Sequence, residues 1–164
     1  MFDYFVAAMR CGVCGQMSPA DSSTNMQTHL RDDADHRELA VGFLLDPMEV
    51  RPQDIASSGY PQVAPQPADG TFALLETWEC PACGAPDQWA RIEVRDGVIT
   101  AIDAVALDRT ALDSAHCISD QCSAHAAAIS DVVAQDLVTG KADPVAVLRE
   151  HLPARASAGS DDGV

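Results

Sequence analysis

A chain of 164 residues that is 47% hydrophobic can bury a core, and its composition excludes a disordered protein. Aromatic residues make up only 5%, so large core-filling side chains are scarce and a metal staple would help. Against 10 basic residues stand 25 acidic ones, with Lys141 the only lysine; a net charge of −15 repels phosphate backbones and anionic lipid, which argues against nucleic-acid and membrane binding.

The first stretch, MFDYFVAAM, is apolar but short, and Asp3 stands where a secretory signal would carry positive charge. No apolar run approaches a membrane span. The expectation is a cytoplasmic protein, and in that compartment paired CxxC motifs bind metal more often than they form disulfides.

Residues 2–10 read as a strand leading into AMRCGVCGQMSP, which carries Cys11 and Cys14. A polar, turn-rich stretch follows, then MQTHL as a short strand, a charged segment RDDADHREL expected to be exposed, and AVGFLLD as strand or turn. Residues 51–70 hold four prolines and two glycines and read as a loop. TFALLETWE is a strand running into WECPACGAPDQW, where Cys80 and Cys83 repeat the first motif. QWARIEVR alternates, with Ala90, Ile92 and Val94 on one face. Asp96-Gly97 then joins it to VITAIDAV, a hairpin signal because a type I′ turn needs positive φ at both central residues. The run from Leu107 to Leu137 is alanine-rich with helical spacing, and Ser119 or Asp120 is a candidate cap. Asp143-Pro144 is a second cap, with proline at the first helical position. The tail from Pro153 is expected to be disordered.

The two CxxCG turns carry the chemistry. A turn of this kind aims both sulfurs at one point, backbone N–H groups can donate to them, and the glycine can take positive φ. Cys11, Cys14, Cys80 and Cys83 together supply four thiolates, the tetrahedral set that zinc prefers in structural sites. Such a site has no open coordination position, which argues against metal catalysis. Unliganded buried thiols are the bland alternative. A thioredoxin-like reading of CGVC fails because only ten residues precede Cys11 and no helix opens after Cys14. A deaminase reading fails too: His36 and Glu38 spell H-x-E, but proline follows Cys80 instead of preceding it, in surroundings that read as strands.

With these knuckles, the Met26-Gln27-Thr28 segment, Val41-Gly42 and the DGVI hairpin, the first two-thirds of the chain resembles small bacterial zinc-ribbon proteins of undefined function. One departure is plain: 65 residues separate Cys14 from Cys80, where a ribbon has about 15–20. The resemblance implies a fold more than an activity. A single iron in a rubredoxin-like site is the rival cofactor, and electron transfer the rival function.

Two further groups are candidates for metal binding. His116, Cys117, Cys122 and His125 fall close together in sequence, the last two on one helix face; buried cysteines beside surface histidines are the plainer reading. His29 and His36 flank Asp32, Asp33 and Asp35, where a solvated charge run is the plainer reading. No Walker loop, GxSxG or HExxH occurs.

The expected architecture is α+β. Residues 1–106 form a zinc-ribbon-like antiparallel β domain with an inserted segment 15–79, residues 107–152 a helical segment, and 153–164 a tail. The expected function is non-enzymatic: an acidic zinc protein that binds another protein through a basic patch on that partner.

Overall fold

The computed structural model describes residues 2–31, 35–46, 55, 58–67 and 69–154. It is a mixed α+β structure whose sheets are mainly antiparallel. Strands β4 (Phe72–Trp78), β5 (Gln88–Arg95) and β6 (Val98–Val105) form an antiparallel meander, and β7 (Cys117–Ile118) joins its edge parallel to β4. Strands β1 (Asp3–Phe5), β2 (Gln27–Thr28) and β3 (Glu38–Leu39) make a small second sheet in the order β2-β1-β3.

The β5–β6 turn is the one that Asp96-Gly97 implies. The two residues have φ of 49° and 78°, and Arg95 pairs with Val98 across them. Past the turn the register slips at Glu93/Val94, and the Thr100 hydroxyl donates to the Glu93 carbonyl. This is a bulge, which adds local twist to the hairpin.

Strand alternation divides the interior into two layers. On one face of the larger sheet, Phe72, Leu74, Ala90, Ile92, Val94 and Ile99 pack with Phe5, Met26 and Leu39 of the small sheet. On the other face, Leu75 and Trp89 pack against the C-terminal helices through Leu112, Ala126, Val145 and Leu148. These helices are α1 (Arg109–Asp113), α2 (Cys122–Ile129), α3 (Asp131–Val138) and α4 (Pro144–His151). Covered on both sides, β4 reads as an apolar run instead of an alternating one. Among the described residues no helix is long and apolar enough to cross a membrane.

The long insertion wraps the sheet. Residues 42–45 run along the outer edge of β6, with Gly42 N–H to Ile99 O at 2.7 Å and Leu45 N–H to Gly97 O at 2.7 Å. Residues 59–63 run along β7, with Ile118 N–H to Pro61 O at 3.0 Å and Val63 N–H to His116 O at 2.7 Å. Both edges of the sheet are thus partly paired, which blunts them against edge-to-edge association.

Several expectations need correction. The strand foreseen over 2–10 shrinks to Asp3–Phe5, with an isolated bridge from Arg10 to Met17. The segment expected to be charged and exposed supplies β3, with Leu39 fully buried, and also the buried Arg31. The continuous helical run is broken, because residues 117–118 pair with Leu74 and Leu75 as β7. Gln121 sits at the N-cap of α2 without a side-chain bond, so neither Ser119 nor Asp120 is its cap. Asp143 does cap α4, accepting from the Val145 N–H at 3.0 Å. Pro153 and Ala154, placed in the tail, hold to α1 through the Arg109 N–H and the Thr110 hydroxyl; the rest of the tail lies outside the described residues.

Candidate metal centre

Each knuckle is closed by the same two backbone bonds. Cys11 N–H donates to Gln16 O at 2.9 Å and Gly15 N–H to Cys11 O at 3.0 Å; in the second turn, Cys80 N–H donates to Ala85 O at 3.1 Å and Gly84 N–H to Cys80 O at 2.8 Å. Gly15 and Gly84 have φ of 73° and 71°, and no protein atom lies within 4 Å of a Cβ built on either. Conformation, not crowding, is what requires glycine there. In both turns the first cysteine is buried and the second exposed. β4 and β5 hold the second knuckle between them. The first is anchored where Met9 and Ser18 pair, and is tied to β5 by the Gln88 side chain, which accepts from the Gly12 N–H at 3.2 Å.

The four sulfurs converge. Cys11 Sγ lies 3.8 Å from Cys83 Sγ, Cys14 Sγ lies 3.7 Å from Cys80 Sγ, and all four lie within 4.8 Å of one another. Ligands at about 2.3 Å from one tetrahedral ion stand about 3.8 Å apart, so the spacing fits a single ion held by four thiolates. Iron makes the same demand, and the spacing does not choose between the metals.

The electrostatics point the same way. The Cys14 N–H, with the Val13 N–H, pulls the Cys11 thiol down to about 6. Cys83 is pushed up to about 11: the Ala85 N–H favours its thiolate, but desolvation and the sulfurs of Cys14, Cys80 and Cys11 outweigh that donor. The Cys11 proton is thus lost readily, while the neighbouring sulfurs hold the Cys83 proton on. A cation among them relieves that repulsion.

The second candidate group does not assemble. Cys117 belongs to the layer under the small sheet and Cys122 to the layer under the helices, on opposite sides of the larger sheet. Burial raises both thiols, Cys122 to about 11, so they are neutral core residues. His116 Nδ1 accepts from the Ala73 N–H at 3.0 Å, and His125 packs edge-on against Trp89. His29 and His36 flank the N-terminal aromatics, His29 edge-on to Phe2 and His36 bonded to the Phe2 carbonyl. Asp32 and Asp33 lie outside the described residues. Among the described residues, only Cys11, Cys14, Cys80 and Cys83 form a cluster of three or more ligating side chains close enough to share an ion.

Sequence reasoning missed two buried polar clusters. Asp3 and Arg31 form an ion pair at 2.8 Å with both side chains nearly inaccessible. Glu76, in β4, is 4% exposed; its Oε2 accepts from the Tyr60 hydroxyl at 2.5 Å and its Oε1 from the Thr77 N–H at 2.8 Å. Tyr60 shares a second bond with the Thr28 hydroxyl at 2.7 Å. In each case the signal was a lone acid inside an otherwise apolar strand. Searches against protein-family models, curated proteins and solved structures found no match to this chain.

Proposed function

We propose that the chain holds one zinc ion through Cys11, Cys14, Cys80 and Cys83 in a structural, zinc-ribbon-like centre, and that it acts without catalysis as an acidic module that binds a basic surface of another protein. The observation that carries the metal reading is the convergence of four sulfurs at tetrahedral spacing on two identically bonded turns. The partner reading rests on the net charge of −15, which four thiolates and a divalent ion would take to roughly −17 and which favours a basic contact surface. A cytoplasmic location goes with this reading, since thiolates bind metal best where they stay reduced.

The ion would tie the N-terminal strand region to the middle of the chain across the insertion. Cys80→Ser should therefore lose the metal and the fold together, read as metal content and a melting curve on the same preparation. A Cys80→Ser protein with the parent's melting curve would sink the structural role.

A further inference from the structure

The chain has only two tryptophans, and both line one cavity of about 510 Å³ beside the first knuckle. Trp89 lies on the helix-facing side of β5, where Val105 and Leu107 flank it and the His125 ring stands perpendicular to it at 6.0 Å. The indole N–H of Trp78 donates to the Trp89 carbonyl at 3.2 Å. The indole nitrogen of Trp89 is buried and meets no acceptor among the described residues. A buried donor ordinarily has a partner, so an orphan on a cavity wall points to an acceptor that the protein itself does not supply.

Arg10 stands on the same wall. Its NH1 donates to Gly15 O at 2.8 Å, and no carboxylate pairs with its guanidinium among the described residues. In a chain with 25 acidic residues against 10 basic ones, that leaves a local positive site within a negative field. Asp87, the one carboxylate on the wall, is exposed and forms no ion pair with Arg10. We propose that this cavity binds a small aromatic carboxylate, its ring against the Trp89 indole, Val105 and Leu107, and its carboxylate accepting from the Arg10 guanidinium and the Trp89 N–H. The volume is in the range that holds a small organic molecule, the indole offers a flat face to an aromatic ring, and a guanidinium matches a carboxylate in shape and charge. None of the four knuckle cysteines lines the cavity, so failure of this proposal would leave the metal reading untouched.

The two indole N–H signals in a nitrogen–proton NMR spectrum of the whole protein give the readout, one from each tryptophan. The protein is titrated with phenylacetate, with its neutral isostere phenylacetamide and with acetate, at about 0.15 M salt so that distant acidic charge is screened. Phenylacetate should move the Trp89 indole signal downfield along a saturable curve for one site per chain, and should bind about tenfold or more tighter than phenylacetamide or acetate. Arg10→Gln should remove that preference, and Lys141→Gln, an exposed charge change off the cavity wall, should keep it. Arg10 adjoins Cys11, so the metal content of Arg10→Gln is measured alongside; where metal is lost, the comparison of phenylacetate with phenylacetamide on the parent decides. The proposal is overturned if phenylacetate leaves the Trp89 signal in place, if phenylacetamide binds as tightly, or if Lys141→Gln weakens binding as much as Arg10→Gln does, which is attraction to positive charge in general.

Discussion

Glu76 places a carboxyl group inside the apolar strand Phe72–Trp78, where burial raises its pKa from the ordinary 4.5 to about 7 against the stabilising bonds from Tyr60, Thr77 and Ser119. Tyr60 is itself raised well above its usual value, chiefly by burial and then by the charge of Glu76. Between about pH 4.5 and 7 the folded chain keeps a proton on Glu76 that the unfolded chain has released. Stability therefore falls as pH rises through that window and levels off above it, by roughly 3 kcal/mol in full. Glu76→Gln keeps the shape without the titration. Denaturant melts at about pH 5 and about pH 8 should show the parent losing more stability than the variant on going to the higher pH. Parallel losses would mean that the carboxyl is solvated well enough to ionise normally. The cysteines are common to both proteins, so their titration cancels.

At the scale of elements, the C-terminal helices are an integral layer. Leu148 on α4 is fully buried among Leu75, Leu112 and Ala126. Leu148→Ala should cost about 2–5 kcal/mol in a denaturant melt, as for a truncated core leucine; a loss below about 1 kcal/mol would mean that the helices are only loosely applied. The elements most legible in the sequence were those with a local cause. The Asp96-Gly97 turn, the alternating β5 and the Asp143 cap all follow from residues within a few positions. β3 and β7 were not legible, because two-residue strands exist only through their partners. Glu38–Leu39 is a strand since Tyr4 and Phe5 lie beside it, and residues 117–118 since Leu74 and Leu75 do. Helical spacing around Cys117 was overridden by that pairing. The candidate site was legible for the same reason as the Asp96-Gly97 turn: CxxCG encodes its own turn, and its repetition at Cys80 marks the two turns as a pair. The buried Glu76–Tyr60–Thr28 cluster has no such local code, being assembled from residues far apart in the chain.

For the whole molecule, the 65-residue separation of the knuckles is reconciled by the path of the insertion. The chain leaves the first turn, contributes β2 and β3 beside β1, pairs along both edges of the larger sheet, and returns as β4 to the second turn. An ion at the four sulfurs would join the two ends of that excursion. Structural zinc in small peptides contributes about 10–16 kcal/mol of apparent binding energy near neutral pH, comparable with the stability of a whole domain. The most direct measurement is elemental analysis of protein purified without added metal, with an absorption spectrum of the same sample. The account predicts one zinc per chain and no visible bands. Iron with strong visible bands would contradict the zinc assignment and make electron transfer the function to pursue, and a folded chain with no metal at all would contradict the centre itself.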